Sequence, residues 1–150
     1  MYAQPTRLDE ALDLAARTRP RILAGGTDVM VSAGVDLTDP VLDITRIPEI
    51  KCISVDADAV TIGSGVTWSE IVRADLPSGF DGLKTAAREV GSVQIQNRAT
   101  IAGNLCNASP AADSVPPLLT LVASLDIRSS IARRILPLRD FITGNRRTRL

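Results

Sequence analysis

The chain has 150 residues, 45% of them hydrophobic, and its 17 basic and 17 acidic side chains leave no formal net charge. That length and apolar content suit one domain, or two small lobes sharing an interface. The absence of histidine excludes Ser-His and Cys-His nucleophilic catalysis and any histidine metal ligand, and two separated cysteines, Cys52 and Cys106, cannot by themselves hold an iron–sulfur cluster or a four-thiolate zinc.

In chain order, residues 8–17 place Leu8, Ala11, Leu12, Ala15 and Ala16 on one side of a helix. The apolar run Arg21-Ile22-Leu23-Ala24 reads as a strand that ends in Gly25-Gly26. A short helix from Val29, capped by Thr27 or Asp28, is expected to follow. Residues 41–44 read as a second strand, and residues 52–55 and 59–63 as a pair joined by the turn Asp56-Ala57-Asp58. Thr67 and Glu70 have capping-box spacing and predict a helix through Val72. Residues 82–90 form another apolar-striped helix. Pro116 and Pro117 open a further one, because proline is tolerated in the first helical turn, with Asp113 or Ser114 at its N-cap. Strand-like pieces at 124–128 and 131–138 complete the pattern. Helices and strands in this alternation argue for α/β or α+β. A change of character near residues 45–55 divides the chain into lobes of residues 1–54 and 55–150.

Two segments carry chemistry. A strand that ends in two glycines and turns into a helix exposes successive backbone N–H groups, which suits a phosphate, with Thr27 adding a hydroxyl. Taken alone, such a double glycine is more often a tight connection. It fits neither the dinucleotide glycine fingerprint nor the P-loop. The second segment runs over residues 100–113 and packs small, amide and hydroxyl residues with almost no bulk. It reads as a loop presenting backbone donors around Gly103, with Asn104, Ser109 and Asp113. Two donor-rich loops, one per lobe, suit an elongated phosphate-bearing cofactor lying between the lobes. Asp113 reads either as an acceptor for a sugar-like hydroxyl or simply as a helix cap, and the two roles are compatible.

Ile22-Leu23-Ala24-Gly25-Gly26-Thr27-Asp28, then Ile62-Gly63-Ser64-Gly65-Val66-Thr67, then Arg98-Ala99-Thr100-Ile101-Ala102-Gly103-Asn104 with Ala108-Ser109-Pro110-Ala111-Ala112-Asp113, together resemble the FAD-binding domain of molybdopterin dehydrogenases. These are the flavin-carrying medium subunits of the xanthine and carbon monoxide dehydrogenase group. The resemblance implies an α+β fold of two lobes, of the PCMH-like FAD-binding type. It further implies that Leu23, Ala24, Gly25, Gly26, Thr27 and Asp28 cradle the FAD pyrophosphate, and that Thr100, Ile101, Ala102, Gly103 and Asn104 form a second cofactor loop. Asp113 would bind the flavin's sugar-like chain, with Asn107 and Ser109 keeping the rest of the pattern. Val90 occupies the place where the eukaryotic xanthine enzymes put an aromatic residue near the cofactor, so stacking there is missing. Ala102 replaces the first glycine of a usual pair, and its methyl group is expected to force φ or crowd the ligand.

The resemblance also implies an oxidoreductase subunit, inactive without its partners, that passes electrons to NAD or another acceptor. A molybdopterin-binding large subunit and a [2Fe–2S] small subunit would be those partners, and no catalytic side chain or metal ligand is assigned to this chain. Family members continue beyond this point into a C-terminal domain, so the second lobe reads as incomplete and the chain as C-terminally truncated. The alternative is a non-catalytic remnant or interaction module that binds no flavin. No apolar run reaches the length of a membrane span and no signal-peptide pattern opens the chain, which makes the cytoplasm the expectation. Seven arginines lie between Arg128 and Arg149 against Asp140 alone, so the preceding residues are acidic by the same margin. This basic stretch reads as a solvated strand-and-loop region or a subunit contact, since nucleic-acid binding would want more stacking side chains than Phe141.

Overall fold

A computed structural model describes residues 1–32 and 39–150. The first lobe is built on a three-stranded parallel sheet in the order β1-β3-β2, from Tyr2–Ala3 (β1), Arg21–Leu23 (β2) and Val41–Asp43 (β3). Helix α1, Leu8–Thr18, packs on it, and α2, Val29–Ser32, follows the glycine turn. Ala11, Leu42 and Ile47 are the buried centre, with Leu8, Leu14 and Ala15 packed against them. Leu14 thus takes the place expected of Ala16, which is exposed. Acidic Asp9 and Glu10 in the first turn of α1 and Arg17 in the last complement the helix dipole.

One buried carboxylate ties this lobe together. Asp43 accepts hydrogen bonds from the Tyr2 hydroxyl (2.6 Å), the Gln4 amide (2.8 Å), the Thr45 hydroxyl (2.6 Å) and the Thr45 backbone N–H (2.8 Å). The strand β1 is short, so this side-chain network does much of the work of holding the N-terminus against β3.

The second lobe starts with an antiparallel hairpin of β4, Ile53–Val55, and β5, Val60–Ile62, closed by the Asp56 N–H donating to the Ala59 carbonyl (2.8 Å). The division expected after Ser54 falls inside β4, and the two clusters of packed apolar side chains part between Ile50 and Ile53. Helices α3 (Trp68–Arg73), α4 (Asp81–Glu89), α5 (Val93–Gln96), α6 (Ile101–Asn107) and α7 (Val115–Thr120) follow. The hairpin of β6 (Ser124–Arg128) and β7 (Arg133–Pro137) comes next, then α8 (Leu138–Phe141) and the small hairpin of β8 (Ile142–Gly144) and β9 (Arg147–Thr148). The capping box of α3 is formed as its spacing predicts. Thr67 Oγ1 accepts from the Glu70 N–H, and Glu70 accepts from the Thr67 N–H at 2.7 Å. Trp68 and Phe141 are the largest members of the second core.

Two expectations are corrected here. Residues 101–107 form a helix, not a loop. Ile101 and Leu105, four residues apart, are both buried and anchor one face of α6 in the core. Helix α7 does start at the prolines with Ser114 at its N-cap, but no side chain caps it: the Ser114 hydroxyl donates instead to Asn104 Oδ1 (2.6 Å). In the arginine-rich region, Asp126 pairs with Arg128 (2.6 Å) and Arg133 (2.9 Å), and the Arg128 hydrogen bond is the main reason its carboxyl titrates below the usual range. Both cysteines are free. No helix among the described residues is long and apolar enough to cross a membrane.

Candidate functional site

Among the described residues, glycines bring the lobes into close contact at Ile50 and at the peptide between Arg98 and Ala99. Gly63 lies so close to Ile50 that a Cβ there would be 2.3 Å from the Ile50 carbonyl oxygen, and its N–H donates to the Cys52 carbonyl (2.8 Å). Gly25 sits equally tightly on the peptide between Arg98 and Ala99. The segment behind Gly25 is itself pinned: the Trp68 N–H donates to the Ala99 carbonyl (3.2 Å), and the Ile101 N–H donates to the Val66 carbonyl (3.0 Å). The glycine turn of the first lobe is therefore set directly beside the segment entering α6.

A polar cleft of about 350 Å³ opens next to this contact, a volume typical of small-molecule sites. Thr27 and Asp28 line it from the first lobe; Val90, Gly91, Ile95 and Ala99 give it apolar lining; Asn104, Asn107, Ser109, Asp113 and Arg146 give its polar groups, with Ala111 and Ala112 between them. Of the sequence candidates, Thr27, Asp28, Val90, Asn104, Ser109 and Asp113 come together here. Leu23, Ala24, Gly25 and Gly26 lie behind Thr27 in the turn and do not line the cleft. Gly25 is instead needed for the lobe contact. Gly26 has φ +78°, the left-handed backbone that glycine adopts without strain. Among the described residues, the N–H groups of Gly25, Gly26 and Thr27 make no hydrogen bond to the chain. Donors left in that condition are a fit for an anionic group.

The second expected donor loop is different. Thr100 is buried and its hydroxyl accepts from the Gly103 N–H (3.1 Å), while the Asn104 N–H donates to the Thr100 carbonyl (3.0 Å). The Gly103 and Asn104 N–H groups are consumed by capping α6, that of Ala102 makes no hydrogen bond among the described residues, and the Ile101 side chain points into the core. Ala102 and Gly103 do not line the cleft, and Ala102 lies within the helix with no positive φ, so its methyl group forces no strain. What α6 offers the cleft is its far end, Asn104 and Asn107, together with residues 108–113 beyond it.

Arg146 was absent from the sequence candidates, and Asn107 entered only as part of the family pattern, with no role of its own. Asn107 Nδ2 donates to Asp28 Oδ1 (2.9 Å), and Asn107 Oδ1 accepts from the Arg146 guanidinium (2.7 Å). Asp28 can only accept and Arg146 can only donate, which fixes the direction of the amide between them. The Arg146 N–H also donates to the Ala108 carbonyl (2.9 Å). Both residues have left-handed backbones, φ 46° at Ala108 and 53° at Arg146, which is uncommon outside glycine and concentrates at functional sites.

The fold is two-lobed α+β, with a polar cleft at the lobe junction. The chain belongs to the family described as the FAD binding domain in molybdopterin dehydrogenase, whose model matches residues 1–150. It is 35% identical over 149 residues to the nicotinate dehydrogenase FAD-subunit of Eubacterium barkeri, covering 95% of this chain and 50% of that protein. It is 32% identical over 148 residues to the xanthine dehydrogenase FAD-binding subunit of Escherichia coli O157:H7, covering 95% of this chain and 51% of that one. Among solved structures, carbon monoxide dehydrogenase from Hydrogenophaga pseudoflava matches with a TM-score of 0.92 at 25% identity, over 99% of this chain and 54% of that one. The chain thus spans about half the length of each of these three proteins.

Proposed function

We propose that the inter-lobe cleft binds FAD and that this chain is the flavin-holding part of a molybdenum hydroxylase-type dehydrogenase. The observation that carries the reading is the convergence on one cleft of the Thr27–Asp28 turn and the polar residues Asn104, Asn107, Ser109 and Asp113. When bound, FAD supplies the electron-accepting ring system, and the protein's contribution is binding and orientation. The N–H and hydroxyl of Thr27, which lines the cleft, take the diphosphate side, Asp113 accepts from hydroxyls of the ribityl chain, and Val90 gives an apolar contact without stacking. The xanthine and nicotinate dehydrogenase relatives are FAD subunits by name. By that likeness the partners here are a molybdopterin-binding large subunit and a [2Fe–2S] small subunit, with electrons leaving to NAD or another acceptor. The lobe division proposed with this reading is a small N-terminal lobe, residues 1–54 by sequence pattern and ending near Ile50 by packing, and a second lobe, residues 55–150 by sequence pattern, after it.

The single tryptophan, Trp68, gives the test. Its side chain is fully buried, and its backbone N–H bonds to Ala99, which lines the cleft. Titration with FAD is expected to quench Trp68 fluorescence saturably at one FAD per chain. The absence of saturable quenching, together with no FAD retained on equilibrium dialysis, would favour the interaction-module alternative.

A further inference from the structure

We propose that Arg146 clamps the diphosphate of the bound dinucleotide and that Asn107 is the positioning residue that aims it. The inference rests on the FAD-binding reading above and adds to it a residue that is not among the site residues read from the sequence.

Charge gives the first argument. Asp28 and Asp113 are the carboxylates lining the cleft, and among the described residues Arg146 is the only cationic side chain lining it. A diphosphate entering beside two carboxylates needs a countercharge, and a guanidinium supplies one together with several parallel donors. Position gives the second. Arg146 reaches Asn107 at 2.7 Å, Asn107 reaches Asp28 at 2.9 Å, and Asp28 directly follows Thr27 in the turn with unbonded N–H groups. The guanidinium is therefore tethered, through one amide, to the turn that would face the phosphates. Backbone geometry is the third argument. Arg146 holds a left-handed conformation that costs a non-glycine residue free energy, and it is locked there by its N–H bond to Ala108, itself left-handed. A glycine would remove that cost but also the side chain. The arrangement retains arginine where the turn alone would favour glycine.

The experiment compares FAD, ADP and riboflavin binding to the chain and to Arg146→Gln, Arg146→Lys and Asn107→Ala, with melting temperatures measured alongside. FAD and ADP carry the diphosphate and riboflavin does not. Arg146→Gln is expected to weaken FAD and ADP binding about tenfold, with riboflavin affinity unchanged. Arg146→Lys should recover part of the loss, and Asn107→Ala should lower FAD affinity in the same direction by a smaller factor. FAD affinity in Arg146→Gln equal to the unsubstituted chain would overturn the proposal, and so would equal losses for FAD and riboflavin, which would make Arg146 a structural latch. If the unsubstituted chain binds no FAD, the function reading itself fails, and that result is separate from either of these.

Discussion

Gly25 rests on the peptide that joins Arg98 to Ala99: a Cβ at Gly25 would lie 2.0 Å from the Arg98 carbonyl oxygen and 2.9 Å from Ala99 Cα. No side-chain rotation relieves a clash with backbone, so the lobes must separate to admit even a methyl group. Gly25→Ala is expected to destabilise the chain by about 1–3 kcal/mol, the range for overpacking, and to abolish saturable FAD quenching of Trp68. Gly26→Ala meets only the Leu23 and Met30 side chains, at 3.2 and 3.4 Å, but must hold φ +78°. It should cost about 1–2 kcal/mol and leave the lobes in contact. Thermal denaturation of the pair checks the order; a milder effect at Gly25 than at Gly26 would contradict the close approach.

That contact marks a boundary in what the residues reveal on their own. The capping box at Thr67 and Glu70, the hairpin around Asp56-Ala57-Asp58 and the proline-opened helix are local patterns, and each was legible because its determinants lie within four residues. The role of Gly25 was not, since the peptide it meets is more than seventy residues away. Helix α6 was hidden by its small residues, though Thr100 at the cap and Ile101 and Leu105 at helical spacing were signals that could have found it. Asp28, Asn107 and Arg146 meet across separations of 79 and 39 residues. Nothing in the spacing of a lone asparagine or one arginine among seven points to such a meeting.

Val122 follows α7 with φ 53°, a conformation that is costly for a β-branched residue, and its side chain is 82% exposed. Its N–H donates to the Leu119 carbonyl (3.0 Å), and the Ala123 N–H donates to the Leu118 carbonyl (3.0 Å), so the helix end is bonded as a glycine-type cap without the glycine. Val122→Gly should raise stability by about 1 kcal/mol, because the strain is relieved and little packing is lost. Chemical denaturation at constant m-value checks it.

The Asp43 network predicts an acid-sensitive first lobe. Burial pushes the Asp43 carboxyl up, but hydrogen bonds from the Thr45 and Tyr2 hydroxyls, the Thr45 N–H and the Gln4 amide outweigh it and hold the group below its ordinary value. A depressed folded value means that the stabilisation is present above the unfolded pKa of about 3.9 and is lost as pH falls through the folded one. Asp43→Asn should reduce stability at neutral pH by about 1–3 kcal/mol and flatten the loss below about pH 4. An unaltered acid limb in denaturation curves would assign the acid sensitivity elsewhere.

Asp113 separates structure from binding. Its two sequence-level roles, capping α7 and holding the cofactor chain, predicted a substitution that costs stability and affinity together. The helix has no side-chain cap, and Asp113 is exposed at the cleft, so the first cost disappears. Asp113→Ala is expected to leave stability within about 0.5 kcal/mol of the unsubstituted chain, as for surface positions generally. Losing an acceptor for the ribityl hydroxyls should weaken FAD binding about tenfold. The ribityl chain belongs to riboflavin as much as to FAD, so both ligands should suffer alike, whereas ADP should bind unchanged. That is the opposite selectivity from Arg146→Gln, and the two substitutions together orient the ligand in the cleft. A loss of ADP binding in Asp113→Ala, with riboflavin unaffected, would reverse that orientation and move the diphosphate to the Asp113 end.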